Sequence, residues 1–184
     1  MHYKSLILLI LSFGALRIAI AQPSASPPKE EAVKAIRKVF QSINQDHTLT
    51  VVSLTPEEIE DVIGASPDNG AGITGYYKKD TLRKMVVEVG PSYGLVRQEY
   101  YYQNGQPVFI YDTEKSFPAT DSSIDHSRLV LNFEGRYYLN NGAIIDTKLK
   151  GKKRFEEEVN TAYIRKVIAY GRDYSNALYK HYRK

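Results

Sequence analysis

Glu99-Tyr100-Tyr101-Tyr102-Gln103-Asn104-Gly105 and Arg136-Tyr137-Tyr138-Leu139-Asn140-Asn141-Gly142 each run a tyrosine pair into a polar turn. Asn-Gly supplies the positive φ angles that a two-residue type I′ hairpin turn needs, and β-rich runs flank both turns. Gly75-Tyr76-Tyr77-Lys78-Lys79-Asp80 repeats the pattern a third time. Working outward from these turns, strands are expected at about 73–78, 82–89, 95–103, 107–113, 127–139 and 143–149. Six antiparallel strands joined in this way make a meander.

Side-chain parity gives the strands their faces. Over 127–139, Leu129, Leu131, Phe133, Tyr137 and Leu139 share one face, and Arg128, Asn132, Glu134, Arg136 and Tyr138 share the other. One face is therefore expected to be buried and the other mostly polar. Extending that parity to the repeats assigns Tyr76, Tyr100 and Tyr137 to the core and Tyr77, Tyr101 and Tyr138 to the outer face.

Helices are expected at both ends of the meander. Ala32, Val33, Ile36, Val39, Phe40 and Ile43 recur at helical spacing, which predicts an amphipathic helix over Lys29–Gln45, with Ser26 as N-cap and Pro27 as its first residue. Residues 48–54 form a short β-branched run, a candidate strand. Thr55-Pro56-Glu57-Glu58 then pairs a capping Thr with Glu three residues on, so a two-turn helix should run to Gly64. From Arg154, Phe155, Val159, Tyr163, Val167, Tyr170, Tyr174, Leu178 and Tyr182 step by three or four, predicting a C-terminal helix of about 28 residues. Glu156-Glu157-Glu158 begins it, and Gly171 marks a kink or a close-packing point. The expected fold class is α+β: an antiparallel β-meander of about six strands, packed on one face by N- and C-terminal helices.

Residues 1–21 read as a signal peptide: Lys4, an apolar run over 6–11, and Ala19-Ile20-Ala21 at the cleavage step. Arg17 interrupts the apolar run short of the span a bilayer needs, so no stable membrane anchor is expected. Residues 22–28, rich in Pro and Ser, are expected to be a flexible tether, and 29–184 a single domain. The protein is expected in the periplasm or secreted. The chain has no Cys, which excludes thiol nucleophiles, zinc ribbons and iron–sulfur sites. After the signal, residues 148–184 hold 11 basic and 4 acidic residues while 22–147 hold 12 and 17, so the C-terminal end is the basic one. Three Glu follow its run Lys148 to Arg154 at once, and no nucleic-acid contact is expected.

The outer tyrosines travel with Lys84, Glu88, Arg97, Glu99, Glu134 and Arg136. A Tyr and Arg surface on a rigid sheet is the composition that protein and sugar binding sites favour, which makes Tyr77, Arg97, Tyr101, Arg136 and Tyr138 the candidate binding residues. Tyr is also a good strand former, and ordinary cross-strand pairs account for the same pattern. Glu88, Glu99 and Glu134 share that face. A glycoside hydrolase needs two carboxylates at a defined separation with one pKa raised, which strand position alone does not supply. Asp121-Ser122-Ser123-Ile124-Asp125-His126-Ser127 holds the residue types of acyl transfer without a nucleophile elbow, and reads as a polar hairpin loop. His47 and His181 lack metal-ligand spacing, and no phosphate-binding or dinucleotide motif occurs; no catalytic residue, metal or cofactor is expected.

The helix 31–43, Gly75-Tyr76-Tyr77, the segment Glu99 to Gly105 with Val108-Phe109-Ile110-Tyr111, and Arg136 to Gly142 together resemble a group of short exported proteins of Gram-negative bacteria. That resemblance implies export and no particular activity. The Tyr-Tyr-x-x-Asn-Gly unit is also similar to the hairpin unit of MORN-like repeat proteins, which implies protein or lipid contact. The layout of a helix followed by a long meander is like the cystatin and NTF2-type folds, in which a helix packs across a curved sheet; fold does not fix function. Two functional expectations follow. One is a non-catalytic binding module whose Tyr/Arg-rich sheet face meets a protein or glycan partner in the envelope. The other is a small secreted hydrolase acting on cell-wall or glycan substrate through the strand carboxylates.

Overall fold

The computed structural model describes residues 28–119, 123–155 and 158–183. In chain order these form helix α1 (Lys29–Gln45), strand β1 (Thr50–Ser53), helix α2 (Pro56–Ile63), strands β2 (Ala71–Lys78), β3 (Thr81–Val89), β4 (Gly94–Gln103), β5 (Gln106–Ser116), β6 (Val130–Asn140) and β7 (Ala143–Gly151), and helix α3 (Thr161–Tyr182). The strands make one seven-stranded sheet whose spatial order is the chain order, every neighbouring pair antiparallel. The α+β meander with helices at both ends is thus observed, and the candidate strand within 48–54 becomes its seventh member. The expected signal segment 1–21, tether residues 22–27 with the Ser26 and Pro27 cap, Asp121, Ser122, Glu156 and Glu157 lie outside the described residues.

The three tyrosine repeats are three hairpins that share one construction. Their two-residue turns lie at Lys79-Asp80, Asn104-Gly105 and Asn141-Gly142, with φ of 51° and 75° in the second and 49° and 77° in the third. Just inside each turn the ladder slips by one residue: Tyr76 pairs with Lys84 but Tyr77 with Leu82, Tyr101 with Phe109 but Tyr102 with Pro107, and Tyr138 with Asp146 but Leu139 with Ile144. Each return strand carries a β-bulge, at Arg83, Val108 and Ile145, which re-aims side chains and sharpens the local twist.

Helix α2 has the expected capping box. Thr55 Oγ accepts from the Glu58 N–H at 3.3 Å, Glu58 Oε2 accepts from the Thr55 N–H at 3.1 Å, and Gly64 closes the helix at φ 73°. Helix α3 is 22 residues long rather than about 28. It starts at Thr161 because the Asn160 side chain accepts from the backbone N–H groups of Ala162 and Tyr163, capping the helix there. Strand β6 starts three residues later than expected, since Asp125 holds the Ser127 N–H and pairs with Arg128 in a turn.

The two terminal helices do not share a face of the sheet. Val33, Ile36 and Ile43 of α1 pack with Tyr101, Phe109 and Tyr138, whereas Ile164, Val167 and Leu178 of α3, joined by Ile59 of α2, pack with Met85, Tyr100, Tyr102, Ile110 and Tyr137. Neighbouring residues on a strand point to opposite sides, so the sheet is covered on both. A single core face was expected from the parity of β6. The run Tyr100-Tyr101-Tyr102, buried in all three residues, is the signature of a strand covered on both faces.

Helix α1 crosses its face nearly from edge to edge. Lys29 pairs with Asp146 on β7, Arg37 meets Tyr138 on β6, Phe40 packs on Phe109 and Tyr101 of β5 and β4, Asn44 accepts from Lys84 on β3, and Asp46 pairs with Lys78 on β2. It covers the turn-proximal rows of that face and leaves the rows of Glu99-Tyr111-Arg136 and Arg97-Thr113-Glu134 beside it.

Candidate functional site

The border between α1 and the open half of its sheet face forms a cleft of about 560 Å³. Phe109 and Tyr138 make its floor with Tyr101, all three buried, and the helix contributes Phe40, Arg37 and Asn44. Phe40 stacks on Phe109 with ring centroids 4.6 Å apart, and Phe109 tilts against Tyr138 at 5.0 Å. Glu99, Tyr111 and Arg136 complete the lining. The register explains the convergence: Glu99, Tyr111 and Arg136 lie directly opposite one another on β4, β5 and β6, one row out from Tyr101, Phe109 and Tyr138.

The charges in and beside this cleft are arranged in pairs. Arg97 Nε donates to Glu99 Oε1 at 3.0 Å, and its Nη1 also reaches Glu88. Lys84 Nζ lies 2.7 Å from Glu99 Oε2, and Arg136 Nη2 lies 2.6 Å from Glu134 Oε1. The Tyr101 hydroxyl donates to Glu99 Oε2 at 2.6 Å. Burial alone would raise the Glu99 carboxyl, but hydrogen bonds from Lys84 and Tyr101 and the Lys84 charge outweigh it and hold the group below its ordinary value. Burial and the bond to Glu99 push the Tyr101 phenol up. Arg37 differs from the other cations: its guanidinium carbon sits 5.8 Å from the Tyr138 ring centroid, and among the described residues it has no carboxylate partner.

These positions sort the sequence-derived candidates. Tyr101, Arg136 and Tyr138 come together in the cleft, and Arg97 stands next to it through Glu99. Tyr77 does not belong with them. It stacks on Tyr182 of α3 at 4.5 Å on the opposite side of the sheet and is 1% exposed, while Tyr76 lies on the α1 side near Lys84. The first tyrosine pair is one residue out of phase with the assignment: Met85 faces Gly75 on one side and Tyr100 on the other, so Gly75 rather than Tyr76 is the equivalent of Tyr100. Tyr101 and Tyr138 are core floor, not free surface, because α1 covers them.

The carboxylates Glu88, Glu99 and Glu134 do share this face, but the pairing weighs against a hydrolytic role. A glycosidase's general acid needs a raised pKa, and Glu99, the one inside the cleft, is moved the other way. The Ser/His/Asp-rich loop is likewise occupied locally: Asp125 serves Ser127 and Arg128, and the His126 ring lies 4.8 Å from Phe117.

Sequence reasoning missed a second polar centre, on the α3 side. Asp112 is fully buried; Lys153 Nζ donates to its Oδ1 at 3.1 Å, and the Tyr137 and Tyr163 hydroxyls donate to its Oδ2 at 3.1 and 2.9 Å. Lys153 also lies 3.8 Å from Glu114, which accepts from the Arg154 N–H at 2.8 Å. The segment 152–154 is thereby fastened to β5, and the basic run read as a surface feature puts one of its lysines inside. Asp112 alternating with Ile110 and Glu114 on one strand face was the available signal.

Comparison with known proteins finds no matching family model, no similar curated protein and no similar solved structure. Among the described residues no helix is long and apolar enough to cross a membrane, and no three His, Asp or Glu side chains are grouped to hold a metal ion.

Proposed function

We propose that this protein is an exported, non-catalytic binding module whose ligand seats in the cleft between α1 and strands β4, β5 and β6. The observation that carries the reading is the composition of that cleft: an aromatic floor of Tyr101, Phe109 and Tyr138 flanked by two guanidinium groups, Arg37 from the helix and Arg136 from the sheet. Aromatic and Arg side chains with large contact area and polar tips dominate the energetics of binding sites, and here the sheet and the helix hold them in place before any ligand arrives. Arg37 is without a carboxylate among the described residues, so a protein or glycan partner bearing an anionic group complements the cleft. Glu99, the carboxylate inside the cleft, is held below its ordinary value by Lys84 and Tyr101, which disfavours it as a general acid.

The test is capture of envelope components on the immobilised protein, run beside an Arg37→Gln/Arg136→Gln variant whose fold is verified by circular dichroism. These two side chains border the cleft without filling the core, so the variant keeps its fold. Capture that the variant loses supports the cleft as the site. Equal capture by both proteins removes it.

A further inference from the structure

The α3 side of the sheet carries a larger opening. Where the β2–β3 and β4–β5 turns meet the last turns of α3, a pocket of about 740 Å³ is walled by Tyr102 and Tyr179 and bordered by Asn104 and Asn176, with Tyr77 and Arg83 also lining it. Arg83 is there because of the bulge. Tyr76 pairs with Lys84 and Tyr77 with Leu82, so Arg83 has no partner on β2 and its side chain is re-aimed to the side that Leu82 occupies.

Two polar atoms on this wall are buried without any hydrogen-bond partner, Tyr77 Oη and Arg83 Nε. Such groups are rare in native proteins, because each loses its water without a replacement, and the Arg83 side chain that carries one of them lines the pocket. Of the neighbouring charges, Lys78 is neutralised by a carboxylate and Asp80 keeps its charge. Asp80 accepts from the Tyr182 hydroxyl at 3.3 Å, and Lys78 pairs with Asp46, which leaves Arg83 as a cation with no carboxylate among the described residues. Burial, reinforced by Tyr182, raises the Tyr77 phenol, so it stays protonated as a donor.

The lining specifies a ligand chemistry. Arg83 has donors to give and requires acceptor oxygens. Asn104 and Asn176 each offer a donor and an acceptor, the match for hydroxyl groups that do both. Tyr102 and Tyr179 offer ring faces for the apolar side of a cyclic ligand. We propose that this pocket is a second binding site, taking an acidic sugar whose carboxylate is held by the Arg83 guanidinium, whose hydroxyls meet the two asparagines, and whose ring lies on the tyrosines. The same chemistry is presented by a free hexuronate and by a hexuronate at the end of a glycan chain.

Titration of the full protein with sodium glucuronate, glucose and sodium acetate, followed in nitrogen–proton correlation spectra, separates charge from ring. Glucuronate should shift the side-chain amides of Asn104 and Asn176 and the backbone amide of Gly105. Glucose and acetate should each bind about tenfold more weakly, the effect of losing a charge-assisted pair or the ring contacts. Arg83→Gln should cost a similar factor, with Arg83→Lys intermediate because it keeps the charge and loses the fork. Asn176→Ala, on the exposed helix surface, tests the site independently if the Arg83 variants unfold. A disaccharide ending in glucuronate binds at least as tightly as the monomer if the source is a glycan, and is excluded if it is the free sugar. Acetate equal to glucuronate, no shift at these residues, or unchanged binding by folded Arg83→Gln and Asn176→Ala would overturn the proposal.

Discussion

Gly171 sits in the middle of α3, where helix propensity and packing make opposite predictions for Gly171→Ala. Propensity alone favours alanine by about 1 kcal/mol at an interior helix position. A Cβ on Gly171, however, would lie 2.3 Å from Tyr100 Cε1, 2.8 Å from Cδ1 and 3.0 Å from Cζ. Tyr100 cannot step aside cheaply: it is 1% exposed, and its hydroxyl donates to Gln98 at 2.7 Å and lies 3.1 Å from the Val167 carbonyl. Forcing a methyl into such a contact costs about 1–3 kcal/mol, and a displaced hydroxyl forfeits about 1 kcal/mol more. Packing therefore wins by about 1–3 kcal/mol. Urea unfolding should show a midpoint lower by about 1 M with the slope unchanged. In a Tyr100→Leu background the obstacle is gone, and the same Gly171→Ala change should recover stability. A midpoint that rises in the wild-type background would refute the seating of α3 on Tyr100.

Lys153→Met should lower stability by about 3–5 kcal/mol, because it strands Asp112 and Glu114 in the core without their cation; chemical denaturation showing a loss under about 1 kcal/mol would mean water reaches the cluster. Asp46 is held at about 2 by the Thr48 hydroxyl and backbone N–H and by Lys78, so its carboxyl should titrate there in carbon NMR and move upward in Thr48→Ala. Its folded pKa lies below the ordinary 3.8, so the stability it contributes is complete above that value and is lost as pH falls toward about 2. Thr55→Ala removes one arm of the capping box and should cost about 1 kcal/mol in the same unfolding assay; no change would show that α2 is held by Ile59 packing alone. Tyr138→Ala should lose about 3–5 kcal/mol, since the ring is core beneath α1, and a fully stable variant would place it at a free surface.

Most of the fold was legible because its elements are specified locally. Asn-Gly dipeptides force two of the turns, Thr55 to Glu58 writes a capping box, and the spacing of Val33, Ile36 and Ile43 gives α1 its stripe. What local pattern does not contain is the side of the sheet on which a stripe will land. The C-terminal apolar periodicity continues back through Val159 and Phe155, so only the competing hydrogen bonds of Asn160 stop the helix at Thr161. The buried Lys153 was illegible for a related reason: in a run of five basic residues nothing local distinguishes the one that meets Asp112 from those that stay in water.

The misplaced Tyr77 is the more instructive failure, because the sequence contained what was needed to avoid it. Faces were assigned by matching tyrosine pairs, yet register in a hairpin is fixed by the turn. Counting back from each turn aligns Tyr76-Tyr77 with Tyr101-Tyr102 and with Tyr138-Leu139, and the bulges at Arg83, Val108 and Ile145 then fall at equivalent positions. On that count Tyr76, Tyr101 and Tyr138 belong to the α1 side and Tyr77, Tyr102 and Leu139 to the α3 side, which is the observed arrangement. Of the tyrosines and arginines read as one surface, Tyr101, Arg136 and Tyr138 line the cleft on the α1 side with Arg97 beside it, while Tyr77 lines the pocket on the α3 side. The β2–β3 bulge is one inserted residue: deleting Arg83 would restore an unbroken ladder with Leu82 still opposite Tyr77 on the α3 side, and would take from that pocket its one cation without a carboxylate partner among the described residues.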